Sequence, residues 1–349
     1  MSGVTVRVRG YALPHGEYVD LYADGDRWTT DPVPGAEVVA EGWLVPGLVD
    51  AHTHPGAESV GEPLDESMLR KHLHQHVDAG VTAIRSPGLP GDPPPWFGVD
   101  DDVPRAWHAG PWIAQHGQFF EGWGRRPALG DLPEVAAAQA KRTGWAKLIG
   151  DWADESDVIP LDVLRATVAA VHAVGGRLAM HTQQAAGGVA AVAAGVDSVE
   201  HGMCLDPALL NDMAAQGMVL TPTLSVLQAS LARAEKREDS PTKRWFVRGA
   251  TAHPGLVVAA AEAGVPLLAG TDSLPHGRII DEVRALAAAG LRPHDALAAA
   301  SWTARGYLGL PGLEPGAPAD AVIYESDPRT DLDQLEHPQA VILRGRRVR

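Results

Sequence analysis

Between about residue 44 and residue 311, short apolar runs alternate with alanine-rich stretches of helical length. That alternation confines the chain to repeated β-α units around a parallel sheet. Eight strands are expected: 45–54, 81–87, 110–117, 145–151, 177–182, 198–202, 218–224 and 265–273. Helical stretches separate them, clearest at 134–143, 161–174, 185–194, 207–216, 256–263 and 280–289. Gly80, Gly144, Gly175, Gly195, Gly217 and Gly264 fall where helix C-terminal caps belong. Eight such units close most naturally into a (β/α)8 (TIM) barrel. Outside it, residues 1–43 and 312–349 break into short strand-like pieces separated by turns. The expected fold is therefore α/β, a barrel over 44–311 with a small discontinuous β-sandwich domain built from both chain termini. The proline-rich 88–98 and the charged 229–250 are expected as long loops.

Composition narrows the function. The 349 residues are 45% hydrophobic and 21% charged, an ordinary globular balance. A formal net charge of −15 disfavours nucleic acid and anionic membrane surfaces as partners. One cysteine, Cys204, excludes an intrachain disulfide and a cysteine-rich zinc site. No apolar run reaches the roughly 18 residues of a membrane span, and MSGVTVRVRG lacks a signal-peptide core. The expectation is a cytoplasmic protein, a homo-oligomer, whose partner is a small molecule.

In a barrel of this kind, chemistry sits at the C-terminal ends of the strands. The first apolar run ends in Asp50-Ala51-His52-Thr53-His54, and alternation along a strand points His52 and His54 the same way. Later ends carry Lys147, His181, His201 and Asp272. Imidazole and carboxylate ligate divalent metals such as zinc. A protonated lysine has no lone pair to offer, but its carbamate, formed with carbon dioxide, would. Competing readings are a buried, hydrogen-bonded His201, an ordinary Lys147 beside a single metal, and a helix-capping Asp272. His72 and His76 are expected on the solvated face of the first helix, and Cys204 in packing.

VPGLVDAHTH, GVDSVEHG, LLAGTDS and LEPGAPADAVIYESDP together resemble motifs of the amidohydrolase superfamily over nearly the whole chain. The resemblance is to its binuclear, carboxylated-lysine subgroup, the prolidase-like and imidazolonepropionase-related hydrolases. It implies two divalent metals, zinc being expected. His52, His54 and Asp272 would hold one metal, His181 and His201 the other, and carboxylated Lys147 would bridge them. It also implies cleavage of a small amide, such as an acyl amino acid, dipeptide or cyclic amide, by a metal-bridging hydroxide with Asp272 as general acid and base. Alternatives are a mononuclear deaminase, a lactone, ester or phosphoester hydrolase, and a non-catalytic scaffold. Gln184, three residues after His181, stands where mononuclear deaminases usually carry a glutamate proton shuttle. Arg85-Ser86 replaces the Arg-Asp common in the prolidase-like group. The loops after the strands carry candidate substrate contacts, namely His116, Gln118, Trp123, Arg125, Trp152 and His276, and further aromatics at Trp96, Phe97, Phe119 and Phe120.

Overall fold

A computed structural model describes residues 5–154 and 156–349. The chain opens with strands β1 (Thr5–Ala12), β2 (Glu17–Asp24), β3 (Arg27–Thr29) and β4 (Ala36–Pro46). The central region follows as β5 (Leu48–Asp50), α1 (Glu66–Asp78), β6 (Val81–Ser86), β7 (Arg105–His108), α2 (Leu132–Thr143) and β8 (Trp145–Ile149). It continues with α3 (Leu161–Ala173), β9 (Arg177–Thr182), α4 (Ala185–Ala194), β10 (Ser198–His201), α5 (Leu210–Ala215) and β11 (Val219–Thr221). Then come α6 (Leu224–Ala234), α7 (Pro241–Glu262), α8 (Ile279–Ala289), α9 (Pro293–Ala299) and α10 (Trp302–Tyr307). The chain ends with β12 (Ala321–Tyr324), β13 (Ala340–Leu343) and β14 (Arg346–Arg347).

The barrel strands pair in parallel as β5-β6-β7 and β8-β9-β10-β11. Backbone bridges His108–Gly144 and Ile113–Leu148 join one group to the other. On the far side, Leu220 bridges Leu267, and Ala51 N–H donates to Ala269 O at 2.8 Å. These bonds carry the ring round from the first unit to the eighth. Burial on both faces explains why the strands are near-continuous apolar runs.

The terminal strands form a seven-stranded sheet, ordered β14-β13-β12-β4-β1-β2-β3. All its pairings are antiparallel except β1 with β4. Alternation divides its side chains between two cores. Leu44, Ala321, Ile323 and Ile342 join a small core with Val6, Val8 and Trp28, whereas Val45, Val322, Tyr324 and Val341 pack into the barrel's main core.

Three expectations change. The third ladder is Arg105–His108, not 110–117, which supplies only isolated bridges at Pro111 and Ile113. Trp112 and Ala114 there are buried against Ile149, and burial gives a loop the same apolar signature as a strand. The charged 229–250 is mostly helix, because Ser240 caps the 22-residue α7 through Lys243 N–H with Pro241 in its first turn. The first and eighth barrel strands are short, so His52, His54 and Asp272 lie just beyond ladder pairing.

One glycine ties fold to site. A Cβ on Gly270 would overlap His52 Cβ and Thr221 Cγ2. Gly270→Ala is expected to lose about 1–3 kcal/mol from overpacking, read as a lower urea midpoint. Gly130→Ala, where a Cβ meets nothing within 4 Å, should not lower it.

Candidate metal centre at the barrel mouth

The site starts from Asp50, the last residue of β5. Its buried carboxylate accepts from Thr271 Oγ1 at 2.6 Å, Thr271 N–H at 3.1 Å and His52 N–H at 3.2 Å. This fixes the chain as it leaves the first strand beside the eighth. His52 Nδ1 lies 2.7 Å from Glu200 Oε2, and His54 Nδ1 lies 2.7 Å from Gly88 O. An ionised carboxylate and a carbonyl only accept, so both imidazoles carry their proton on Nδ1. Burial raises Glu200, but Arg85 and Lys147 outweigh it and hold the carboxyl well below its usual range. Both Nε2 atoms then keep a lone pair. They face each other at 3.1 Å, with Asp272 Oδ1 3.2 Å from His54 Nε2 and 3.8 Å from His52 Nε2.

Three candidate donor atoms therefore converge. Burial pushes His52 down to about 4, so its imidazole is uncharged at neutral pH. Asp272 is also raised by burial, yet His52 and His54 beside it bring its carboxyl below the usual range. It holds a left-handed backbone, φ 46°, which an ordinary residue adopts at a cost. Its N–H donates to His52 O at 2.8 Å. Such convergence suits a divalent cation. The three donor atoms lie within 4.8 Å of one another.

Lys147 on β8, His181 on β9 and His201 on β10 lie alongside. The ring centres of His181 and His201 are 4.6 Å apart, and His201 is 4.9 Å from His52. His201 Nδ1 bonds Thr223 Oγ1 at 2.7 Å. Lys147 Nζ and His181 Nε2 are buried without a hydrogen-bond partner among the described residues. Unpaired buried polar atoms are costly, and both could serve as donors to a cation. Burial lowers Lys147 to about 8, which raises the share of free amine, the form that reacts with carbon dioxide. Burial also takes His181 to about 3 and His201 well below its usual value, leaving neutral imidazoles. These residues fit a metal pair bridged by a lysine carbamate.

Arg85 completes the support. Its guanidinium donates to Ala51 O at 2.8 Å, Ser198 Oγ at 3.1 Å, and Glu200 Oε2 and Thr221 Oγ1 at 2.9 Å each. It thus ties four strand ends together, while Ser86 Oγ donates to Gly88 O at 2.9 Å.

Above the donors lies a cavity of about 650 Å³. Trp112, Phe119, Phe120, Trp123 and Trp152 form one wall, and α6 with Ser225, Val226, Ala229 and Arg233 forms another. Of the six candidate contacts, Trp123, Trp152 and His276 line this cavity. His116 is exposed outside the lining; Gln118 is buried, donating to Asp157 O at 2.6 Å; Arg125 pairs through its backbone with Trp112 and Ala114. Trp96 and Phe97 pack on the main core instead. His72 and His76, expected on a solvated face, are buried, because this face of α1 turns inward to stack on His276. Sequence reasoning missed Arg126, whose guanidinium holds the carbonyls of Gln118, Phe120 and Trp123. It also missed Arg233, inside a charged segment that resembled a loop.

A sequence model of the amidohydrolase family matches residues 43–348. A Mycobacterium tuberculosis protein described as uncharacterized is 40% identical over 98% of this chain and 95% of its own length. Ochratoxinase of Aspergillus niger is 31% identical over 46% of this chain and 35% of its own length. The solved structure of a Xaa-Pro dipeptidase with bound methionine in its active site superposes with a TM-score of 0.82 at 20% identity, covering 98% of this chain and 99% of that one. This last likeness establishes the shared fold.

The buried imidazoles set a pH dependence. His52, His108 and His253 fall to about 4 and His76 and His181 to about 3, all by burial, against 6.5 when exposed. Between pH 6.5 and about 4 the unfolded chain binds protons that the folded chain refuses, so stability falls as pH falls. Asp50, raised by burial to about 6, and Glu282, raised to about 7, act oppositely but are fewer. The urea midpoint of the metal-free protein is expected to be lower at pH 5 than at pH 7.5.

Proposed function

The chain belongs to the amidohydrolase family and is a hydrolase of C–N bonds, and from that premise we propose that it cleaves a small amide at a binuclear, carbamate-bridged metal centre. The observation carrying this reading is the convergence of His52 Nε2, His54 Nε2 and Asp272 Oδ1 beside Lys147 Nζ and His181 Nε2, which have no hydrogen-bond partner among the described residues. His52, His54 and Asp272 would hold one metal, His181 and His201 the other, and carboxylated Lys147 both. Bound there, the metals would supply Lewis acidity and a water of lowered pKa.

The remaining work falls to the chain. The aromatic wall takes the apolar part of the substrate and excludes water from it. Arg233, whose hydrogen bond among the described residues is to Ser230 Oγ at 2.9 Å, is free to meet a substrate carboxylate in a forked pair. An acyl amino acid or dipeptide offers both features; a cyclic amide offers the apolar one. Asp272 takes a proton at its carboxylate from the attacking water. As the C–N bond breaks, it passes that proton to the leaving nitrogen, giving a carboxylic acid and an amine.

Zinc-loaded protein is expected to release amines from a panel of N-acyl amino acids. Asp272→Asn should lower kcat by about 10²–10⁴-fold. Ammonia release from nucleobases, with the acyl panel untouched, would replace this reading with deamination.

A further inference from the structure

We infer that Glu282, on α8, is a positioning residue that sets the imidazole of His201. The inference rests on the binuclear reading only for its second readout.

The start of α6 is built in an unusual way. A helix leaves its first N–H groups unpaired, and the residue before it ordinarily caps them with its own side chain. Here that residue is Thr223, a good capping type, yet its hydroxyl makes no cap bond. It bonds His201 Nδ1 at 2.7 Å instead. Glu282 takes over the cap from another element. Its Oε1 accepts from Leu224 N–H and its Oε2 from Ser225 N–H, each at 2.7 Å. Glu282 is fully buried. Burial pushes its carboxyl up to about 7. The two backbones at this junction are also held in the left-handed region, φ 66° at His201 and φ 46° at Thr223.

With Glu282 holding the first N–H groups of α6, the Thr223 hydroxyl at its start sits on His201. In the tautomer that donates Nδ1–H to that oxygen, His201 Nε2 keeps its lone pair for the centre shared with His181. The same carboxylate joins the two sides of the cavity. Ser225, which it holds, lines one side, and α8 follows directly from the segment Ser273–Arg278 that lines the other.

The test uses two variants and two readouts. In metal-free protein, ring ¹⁵N NMR should find His201 as a single Nδ1–H tautomer in wild type. Glu282→Gln, whose amide nitrogen cannot accept, should leave it averaged between tautomers. Thr223→Ala should do the same, Thr223→Ser should restore the wild-type signal, and the Glu282→Gln/Thr223→Ala double variant should be no worse than either alone. Calorimetric zinc titration with bicarbonate should then give a second binding event weakened about 10–100-fold in Glu282→Gln, with the first unchanged. An unchanged His201 tautomer with only a lowered urea midpoint would overturn the proposal, leaving Glu282 an ordinary cap. If Glu282→Gln fails to fold, the Thr223 pair carries the same NMR comparison, and an unaltered tautomer in Thr223→Ala overturns it. A wild type that binds one metal would count against the binuclear reading, while the tautomer result would still decide the role of Glu282.

Discussion

Two histidine lone pairs and a carboxylate oxygen facing one another at 3.1–3.8 Å are the constraint on which the rest of this structure depends. Partners that can only accept fix the protons of His52 and His54 on Nδ1, and burial keeps His52 neutral. A divalent cation among the three could take a lone pair from each. The surroundings are arranged to maintain that state. Asp50 pins the exit of the first strand to Thr271 of the eighth, Arg85 keeps Glu200 ionised behind His52, and Gly88 fixes His54.

The same logic, with less direct bonding, extends to the neighbouring donors. Lys147 is buried with its ammonium weakened, so that free amine is accessible near neutral pH. His181 Nε2 has no hydrogen-bond partner among the described residues. The barrel scaffold makes this possible because each donor comes from a different strand end, whose backbone is fixed by neighbours on both sides. Strain gathers at the same rim: His201, Thr223 and Asp272 all hold positive φ.

Much of this was legible in the chain. Buried parallel strands are apolar throughout, so a histidine, lysine or aspartate that ends such a run stands out, as at His52, Lys147, His181, His201 and Asp272. Each closes a strand-like run, and strands of a barrel all end at one rim. What could not be read were features with no periodic signature. Gly110–Gly117 is apolar because Trp112 and Ala114 support the cavity wall, not because it is a ladder. The segment after residue 229 is dense in charge, and charge hid its helical register and with it Arg233. His72 and His76 share a helical face, but nothing in their spacing says whether that face turns to solvent or inward to His276. Contacts such as Glu282 with Leu224 span 58 residues and depend on how α8 packs against α6.

The central claim is a pair of metals joined by a modified lysine. Metal content per chain, measured on protein grown with zinc and bicarbonate, tests it most directly when wild type is set beside Lys147→Ala. Two metals per chain in wild type, falling to one or fewer in Lys147→Ala, is the predicted result. One metal per chain in both proteins would contradict the account and leave Lys147 a buried amine with no part in the chemistry.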